Sequence, residues 1–591
     1  MKELKYLNKY LVKYKKHLLL GILFITLTVC FQIIGPQMVR KSLDLITSYL
    51  DMAEKNGLSS SQKSEFGIRL LQYAGLLLLA ALLRGLFLYA TRQTVIVMSR
   101  NIEYDLKNEV YKHYQSLPMN FYCKNNTGDL MARISEDVSK VRMYLGPAIM
   151  YGINLIILFA ITITYMFSVN TRLTFFVLLP LPILSISIHY VSNKMNIQSE
   201  KIQRSLSALS TFVQEAFSGI RILKAFVREE DSSKQFSKES LDYKKQSLKL
   251  VLINSWFFPL IMGMIGISTI LAVYIGGKEV MNGHITVGNI AEFIIYVNLL
   301  TWPVTSLGWV TSIIQRASAS QERINEFLSE QTDIISNTNS LKPIKGNISF
   351  ENISLCYPDS NVKAIKNVSF QIKEGETLAL IGGTGSGKST IANLICRLYD
   401  PDEGSIKVEG ENIKSFDITH LRSHIGYVPQ DVFLFSDSIK NNVAFANENS
   451  SIASIEQATK DAYVYHNITD FPDGFETKVG ERGITLSGGQ KQRISIARAL
   501  IKDPKILILD DCLSAVDTKT EDIILKNLKH ITKNKTTLII SHRVSSVKVA
   551  DRILVLDNGE IVESGTHAEL LSHGGLYQDF YEQQLTSEVT N

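Results

Sequence analysis

Residues 378–390 read LALIGGTGSGKST. An apolar stretch, Leu378 to Ile381, runs into Gly382, Gly383, Thr384, Gly385, Ser386, Gly387, Lys388, Ser389 and Thr390, and the helical pattern TIANLICRLY follows. This is GxxxxGK[ST] in its required place between a strand and a helix. The glycines let backbone N–H groups close around phosphate oxygens, and a helix N-terminus adds a favourable dipole. Lys388 can reach β- and γ-phosphates, and Ser389 can bind Mg²⁺. The chemistry is that of a nucleoside triphosphate, ATP being the expected one.

A second stretch, ILILDDCLSAVD at 506–517, supplies carboxylates. Four branched apolar residues stopped by charges read as a buried parallel strand, Ile506 to Leu509. Ligands of open α/β sheets sit at the carboxyl ends of such strands. Asp510 then fits the acid that completes a Mg²⁺ shell beside Ser389. Asp511, next to it, is the second acid at the same edge.

These residues need elements to hold them, and the chain is long enough for more than one domain. It has 591 residues, 45% hydrophobic and 20% charged. The formal net charge of +5 is small for that length and argues against a dedicated nucleic-acid protein. Five scattered cysteines (Cys30, Cys123, Cys356, Cys396, Cys512) contain no CxxC pair, so they read as ordinary thiols.

The averages conceal a split. Six apolar segments long enough to cross a bilayer lie near 17–39, 68–98, 143–169, 173–192, 251–277 and 287–313. Lys2, Lys5, Lys9, Lys13, Lys15 and Lys16 precede the first, which places the N-terminus in the cytoplasm. Six spans return the chain to that side, where a nucleotide-using domain must be. The expected architecture is an α-helical six-span transmembrane domain (1–330), a linker (331–347) and a C-terminal α/β P-loop nucleotide-binding domain (348–591). The stretches after the second and fourth spans run about 45 and 58 residues, and as helical hairpins they would project tens of Å into the cytoplasm. Arg84 and Glu292 lie within spans and face either a bundle interior or cavity, or else the interface by snorkelling. Trp256, Trp302 and Trp309, in the last two spans, are either interface anchors or cavity walls.

Residues 485–493, TLSGGQKQR, narrow the class. LSGGQ (Leu486–Gln490) between a P-loop and an acidic strand resembles the ATP-binding cassette (ABC) transporters, and the resemblance covers essentially the whole chain. Six spans fused to one cassette look like an exporter-type half-transporter. The resemblance implies roles for further residues. Tyr357, in SLCYPD, matches the aromatic that stacks on adenine. Gln430, in YVPQDVFLF, matches the residue near Mg²⁺ and the coupling arm. His542, in IISHRVSSV, resembles the switch histidine at the γ-phosphate. Residues 479–483 and 514–517 resemble the short loop placed against the arms and the D-loop. FYCKNNTGDLMARISEDV (121–138) and SGIRILKAFVRE (218–229) resemble the family's intracellular loops. Ser487, Gly488, Gly489 and Gln490, opening a helix, imply a second anion cradle that covers the nucleotide of another cassette, so ATP joins two chains.

In the family the acid after Asp510 is usually glutamate, which positions the attacking water. Asp511 is one methylene shorter. A misplacement of about 1 Å can cost roughly 100-fold in rate, whereas acidity barely differs, about 3.9 against 4.3. The chain's own site is expected to bind ATP and hydrolyse it slowly, opposite a partner half-transporter with a true glutamate. That pattern is similar to heterodimeric bacterial multidrug exporters, and a homodimer in which Asp511 suffices is the alternative. Amphiphilic small molecules are the default cargo by resemblance, exported across a bacterial plasma membrane. Lipids, peptides, haem and siderophore complexes stay open, as does an ATP-gated channel or sensor on the same architecture. The lack of a peptidase segment before Lys16 disfavours leader-processing exporters.

Overall fold

The fold is that of a computed structural model describing residues 2–56, 59–336, 341–358, 360–480, 483 and 486–589. Part of the expected linker (337–340) and Glu481 and Arg482 of the 479–483 loop lie outside the described residues. The chain forms two compact units, Met1–Gln115 with Gly128–Glu330, and Ser116–Thr127 with Gln331–Asn591.

Among the described residues six helices of the first unit are long and apolar enough to cross a membrane: α1 (Lys15–Glu54), α2 (Ser60–Ser116), α3 (Thr127–Val169), α4 (Thr171–Ser218), α5 (Glu229–Met281) and α6 (Val287–Ser329). Each contains one of the expected apolar segments. In lipid every backbone group must be satisfied within the segment, which is why these runs are helical. Leu71, Leu78, Leu82 and Leu86 of α2 point outward, as a lipid-facing surface requires. Val29, Leu158, Met166, Leu173, Phe293 and Val297 close the interior.

The helices continue past the apolar segments as the two arms. The first arm turns at Pro118 into the short helix Met119–Lys124. This tip groups with the second unit rather than with the spans, and Cys123 Sγ lies 3.6 Å from the Tyr399 hydroxyl. The second arm turns through Gly219 and the short helix Ile220–Ala225. Its tip is bare: Phe226 is 72% and Val227 81% exposed, and Val227 adopts φ +52°.

Glu292 does not snorkel. It is fully buried, 3.2 Å from the Arg40 guanidinium, and accepts from the Tyr296 hydroxyl at 3.0 Å and the Asn289 amide at 3.2 Å. Arg84 lines a cavity between α1, α2, α3 and α6, and Trp302 is one of its walls. Trp309 stands edge-on to Tyr151 at 5.6 Å, while Trp256 is exposed. Three wide π turns interrupt α2 and α3, at Arg92–Ile96, Arg133–Asp137 and Tyr144–Ala148.

Among the described residues the second unit has ten strands: β1 (Ile348–Tyr357), β2 (Val362–Ile372), β3 (Thr377–Gly382), β4 (Glu403–Val408), β5 (Glu411–Asn412), β6 (Ile425–Val428), β7 (Ile506–Asp510), β8 (Thr536–Ile540), β9 (Arg552–Asp557) and β10 (Glu560–Gly565). They form a four-stranded antiparallel sheet, β2-β1-β4-β5, and a six-stranded sheet, β10-β9-β3-β8-β7-β6. In the larger sheet β9, β3, β8, β7 and β6 are parallel, and β10 closes the edge antiparallel to β9.

Apolar cores cover both faces of this sheet. Leu507 and Leu509 enter one core and Ile506 and Ile508 the other. Ala379 and Ile381 of β3 divide from Leu378 and Leu380 in the same way. Side chains alternate along a strand, so a strand covered on both sides must be apolar throughout. That is the physical reason for ILIL and LALI.

Candidate functional site

The strand order builds the site. β3, β8, β7 and β6 are neighbours and run parallel, so their carboxyl ends share one edge. The P-loop leaves β3, His542 follows β8, Asp510 and Asp511 end β7, and Gln430 follows β6. One cavity of about 390 Å³ at that edge is lined by Tyr357, Thr384, Gly385, Ser386, Gly387, Lys388, Ser389, Thr390, Gln430, Asp510, Asp511 and His542. That size suits a single small ligand.

The loop before α7 (Lys388–Ile395) needs glycine at defined points. Gly385 and Gly387 adopt φ +80° and +96°. A Cβ on Gly387 would stand 2.3 Å from the Ala364 carbonyl oxygen, so the chain can pass there only without a side chain. The Gly382 position is as tight, 2.1 Å from the Leu556 carbonyl oxygen. Gly382 and Gly383 contribute carbonyls: Lys388 Nζ donates to them at 2.9 and 2.7 Å and reaches Ser386 Oγ at 3.3 Å. The lysine is thus folded back along the loop. Burial lowers its pKa, and Asp511 and Asp510 oppose that effect.

Ser389 Oγ donates to Asp510 Oδ1 at 3.0 Å. Burial pushes Asp510 up to about 6, with Asp511 adding to the rise and Ser389 working against it. A buried carboxylate beside a hydroxyl is a pair of hard oxygen donors, which fits a hard cation such as Mg²⁺. Gln430 lines the same cavity and could complete the donor set. Tyr357 OH lies 3.1 Å from Thr390 Oγ1, and its ring meets Tyr399 edge-on at 5.2 Å.

Asp511 has φ +44°, in the left-handed region that aspartate tolerates better than most residues. Its N–H donates to the Ile540 carbonyl at 2.8 Å, locking β7 to β8. Its Oδ1 lies 2.9 Å from His542 Nδ1. The second acid therefore already has an imidazole partner.

Ser487, Gly488, Gly489 and Gln490 are not brought to this cavity. They open α8 (Gly488–Leu500). Ser487 Oγ accepts from the Gln490 N–H at 3.3 Å, and Gln490 Oε1 accepts from the Ser487 N–H at 2.9 Å, a reciprocal cap that fixes the turn. Gly489 lies under Ala515: an added Cβ would sit 2.9 Å from its carbonyl oxygen.

Motif reading missed the residues that suspend the 514–517 loop. Gln492 donates to Ser514 Oγ at 3.1 Å and accepts from the Ala515 N–H at 3.0 Å. Arg543 donates to the Ser514 carbonyl at 2.9 Å and pairs with buried Glu521 at 2.9 Å. The loop therefore hangs between α8 and the segment after β8. The only sequence signal was their position, two residues after Gln490 and one after His542.

Comparison with known proteins agrees with this layout. Residues 18–304 match the family model of the ABC transporter transmembrane region, and 365–514 match the ABC transporter model. The chain is 38% identical over 484 residues to the probable multidrug resistance ABC transporter ATP-binding/permease protein YheI of Bacillus subtilis, covering 81% of this chain and 82% of that protein. It is 33% identical over 594 residues, the full length of both chains, to the multidrug resistance-like ATP-binding protein MdlA of Buchnera aphidicola subsp. Schizaphis graminum. A bacterial Atm1-family ABC exporter solved with ATP bound superposes with a TM-score of 0.78 at 26% identity, covering 96% of this chain and 98% of that one. The protein is a multi-pass plasma-membrane ATPase that couples ATP hydrolysis to export, with its ATP-binding unit in the cytoplasm. The chain belongs to the ABC transporters, as an exporter-type half-transporter.

Proposed function

We propose that the chain exports amphiphilic small molecules as one half of a heterodimer, and that its own Walker site turns over slowly. The multidrug names of its relatives support the cargo class. The observation that carries the heterodimer is Asp511: it is one methylene shorter than glutamate and already engaged by His542 at 2.9 Å. An acid set back from the water and shared with an imidazole polarises that water poorly. The intact Ser487–Gln490 turn faces no phosphate site of its own chain and suits the partner's nucleotide.

In this reading residues 1–330 are the transmembrane domain, 331–347 the linker and 348–591 the cassette. Lys388 and the N–H groups of Gly383–Ser389 hold the β- and γ-phosphates, and Tyr357 stacks on the base. Ser389, Gln430 and Asp510 hold Mg²⁺, which offsets phosphate charge. Asp511 and His542 stand at the γ-phosphate. ATP held between two cassettes favours one state of the pair, and the arms carry that closure to the spans.

The test is Mg²⁺-ATPase activity in lipid nanodiscs, for the chain alone and co-expressed with a candidate half-transporter carrying a glutamate. A negligible rate alone, restored by the partner, is expected, and Asp511→Glu should raise the rate of the pair about tenfold. A full rate for the chain alone makes it a homodimer with a working aspartate.

A further inference from the structure

We propose that the membrane unit carries an anion-selecting substrate cavity centred on Arg84 and Arg92, and that the exported amphiphiles are acids: carboxylates, sulfonates or phosphates on an apolar or aromatic body. This rests on the export reading above and sharpens its substrate class.

Two other arginines of the unit meet buried acids. Arg40 is matched by Glu292 at 3.2 Å, and Arg172 by Glu279 at 3.3 Å. Each of those carboxylates is itself buried and held by further hydrogen bonds. Neither Arg84 nor Arg92 makes an ion pair among the described residues. Yet Arg84 stands inside the apolar run of α2, where an uncompensated guanidinium is costly. Both arginines line one cavity of about 390 Å³, and among the described residues no aspartate or glutamate lines it. They are eight residues apart, hence on one helical face about 12 Å apart.

The remaining lining completes a receptor for an amphiphilic acid. Gln32, Asn154 and Asn298 place amides from α1, α3 and α6 around the arginines. These amides can donate to acid oxygens without neutralising the positive charge. Trp302 gives an apolar wall for the body of the ligand. Arg92 opens the π turn Arg92–Ile96, and such turns recur at functional sites. A guanidinium pairs with carboxylate, sulfonate or phosphate through two parallel hydrogen bonds, so a cavity with two free arginines and no acid selects anions.

The test uses the dimer formed by the full chain, in nanodiscs of phosphatidylcholine alone. Two fluorescent aromatic probes of opposite charge are compared, the anion 8-anilinonaphthalene-1-sulfonate and the cation rhodamine 6G, by binding and by stimulation of Mg²⁺-ATPase. The anion should bind and stimulate. Arg84→Gln should weaken its binding about tenfold, Arg84→Lys should recover much of it, and rhodamine binding should not fall in either variant. A second set of nanodiscs containing phosphatidylglycerol separates the sources of the acid group. If the lipid headgroup is the occupant, phosphatidylglycerol displaces the anilinonaphthalene sulfonate from wild type, and Arg84→Gln removes that competition. Either source supports the inference. A wild-type dimer that prefers the cation means that a second chain neutralises the arginines, and this overturns it. The same holds if Arg84→Gln leaves the anion's affinity unchanged. If neither probe nor any other amphiphile stimulates the ATPase, the export reading itself fails.

Discussion

The chain carries two glycine-rich turns of opposite character, the P-loop and Ser487–Gln490. The P-loop is enclosed. Lys388 is folded on carbonyls, Ser389 is bonded to Asp510, and the cavity gathers side chains from four strand ends. The Ser487–Gln490 turn is held by its reciprocal cap and by Ala515, and among the described residues it does not line the P-loop cavity. One turn opens a cavity lined by side chains from four strand ends, and the other stands apart from that cavity. In the proposed dimer, two chains arranged head to tail supply each with what it lacks.

Four changes test this contrast, beginning with the largest effect. Gly488→Asp places a carboxylate where the second turn would meet phosphate and a Cβ 3.3 Å from that of Ala515. ATPase of the dimer should fall about 100-fold or more, while ATP binding to this chain's own P-loop, read by a fluorescent ATP analogue, stays intact. Equal loss of both would erase the distinction. Lys388→Ala should do the reverse, weakening ATP binding to this chain about 10- to 100-fold by removing a charge-assisted contact.

Acidification acts on the first turn alone. An unfolded chain releases the Asp510 proton near 3.8, whereas the folded site holds it up to about 6. Burial of this carboxylate therefore costs stability above pH 6, and the cost vanishes below about pH 4. Mg²⁺ needs the ionised form, so Mg²⁺-dependent nucleotide binding should weaken about tenfold from pH 7 to pH 5 with release of a proton. Calorimetry in two buffers measures that proton, and Asp510→Asn should abolish it. The smallest effect is expected from Gln492→Ala, which frees the 514–517 loop from α8. It should cost about 1 kcal/mol of cassette stability, seen in thermal unfolding, and slow ATPase a few-fold without changing nucleotide affinity.

The sequence made some of this legible for local reasons. LALIGGTGSGKST and ILILDD carry their structure within a dozen residues, because a doubly covered strand must be apolar and a phosphate loop must be glycine-rich. The six spans were readable because lipid demands unbroken apolar helices. The pairing of Arg40 with Glu292 was not, since 252 positions separate them and either could have reached the interface alone. Nor were the π turns, whose one-residue insertion leaves the apolar pattern of a span unchanged. Gln492 and Arg543 sat inside recognised motifs, yet their partners at Ser514 and Ala515 come from folding rather than from spacing.

The bare tip of the second arm bears on how such a protein must be made. Phe217, Ile222, Phe226 and Val227 form an oily knob on a cytoplasmic stalk. Exposed apolar clusters of this kind invite aggregation and surveillance by chaperones and proteases. The knob therefore marks the chain for such surveillance whenever nothing else covers it.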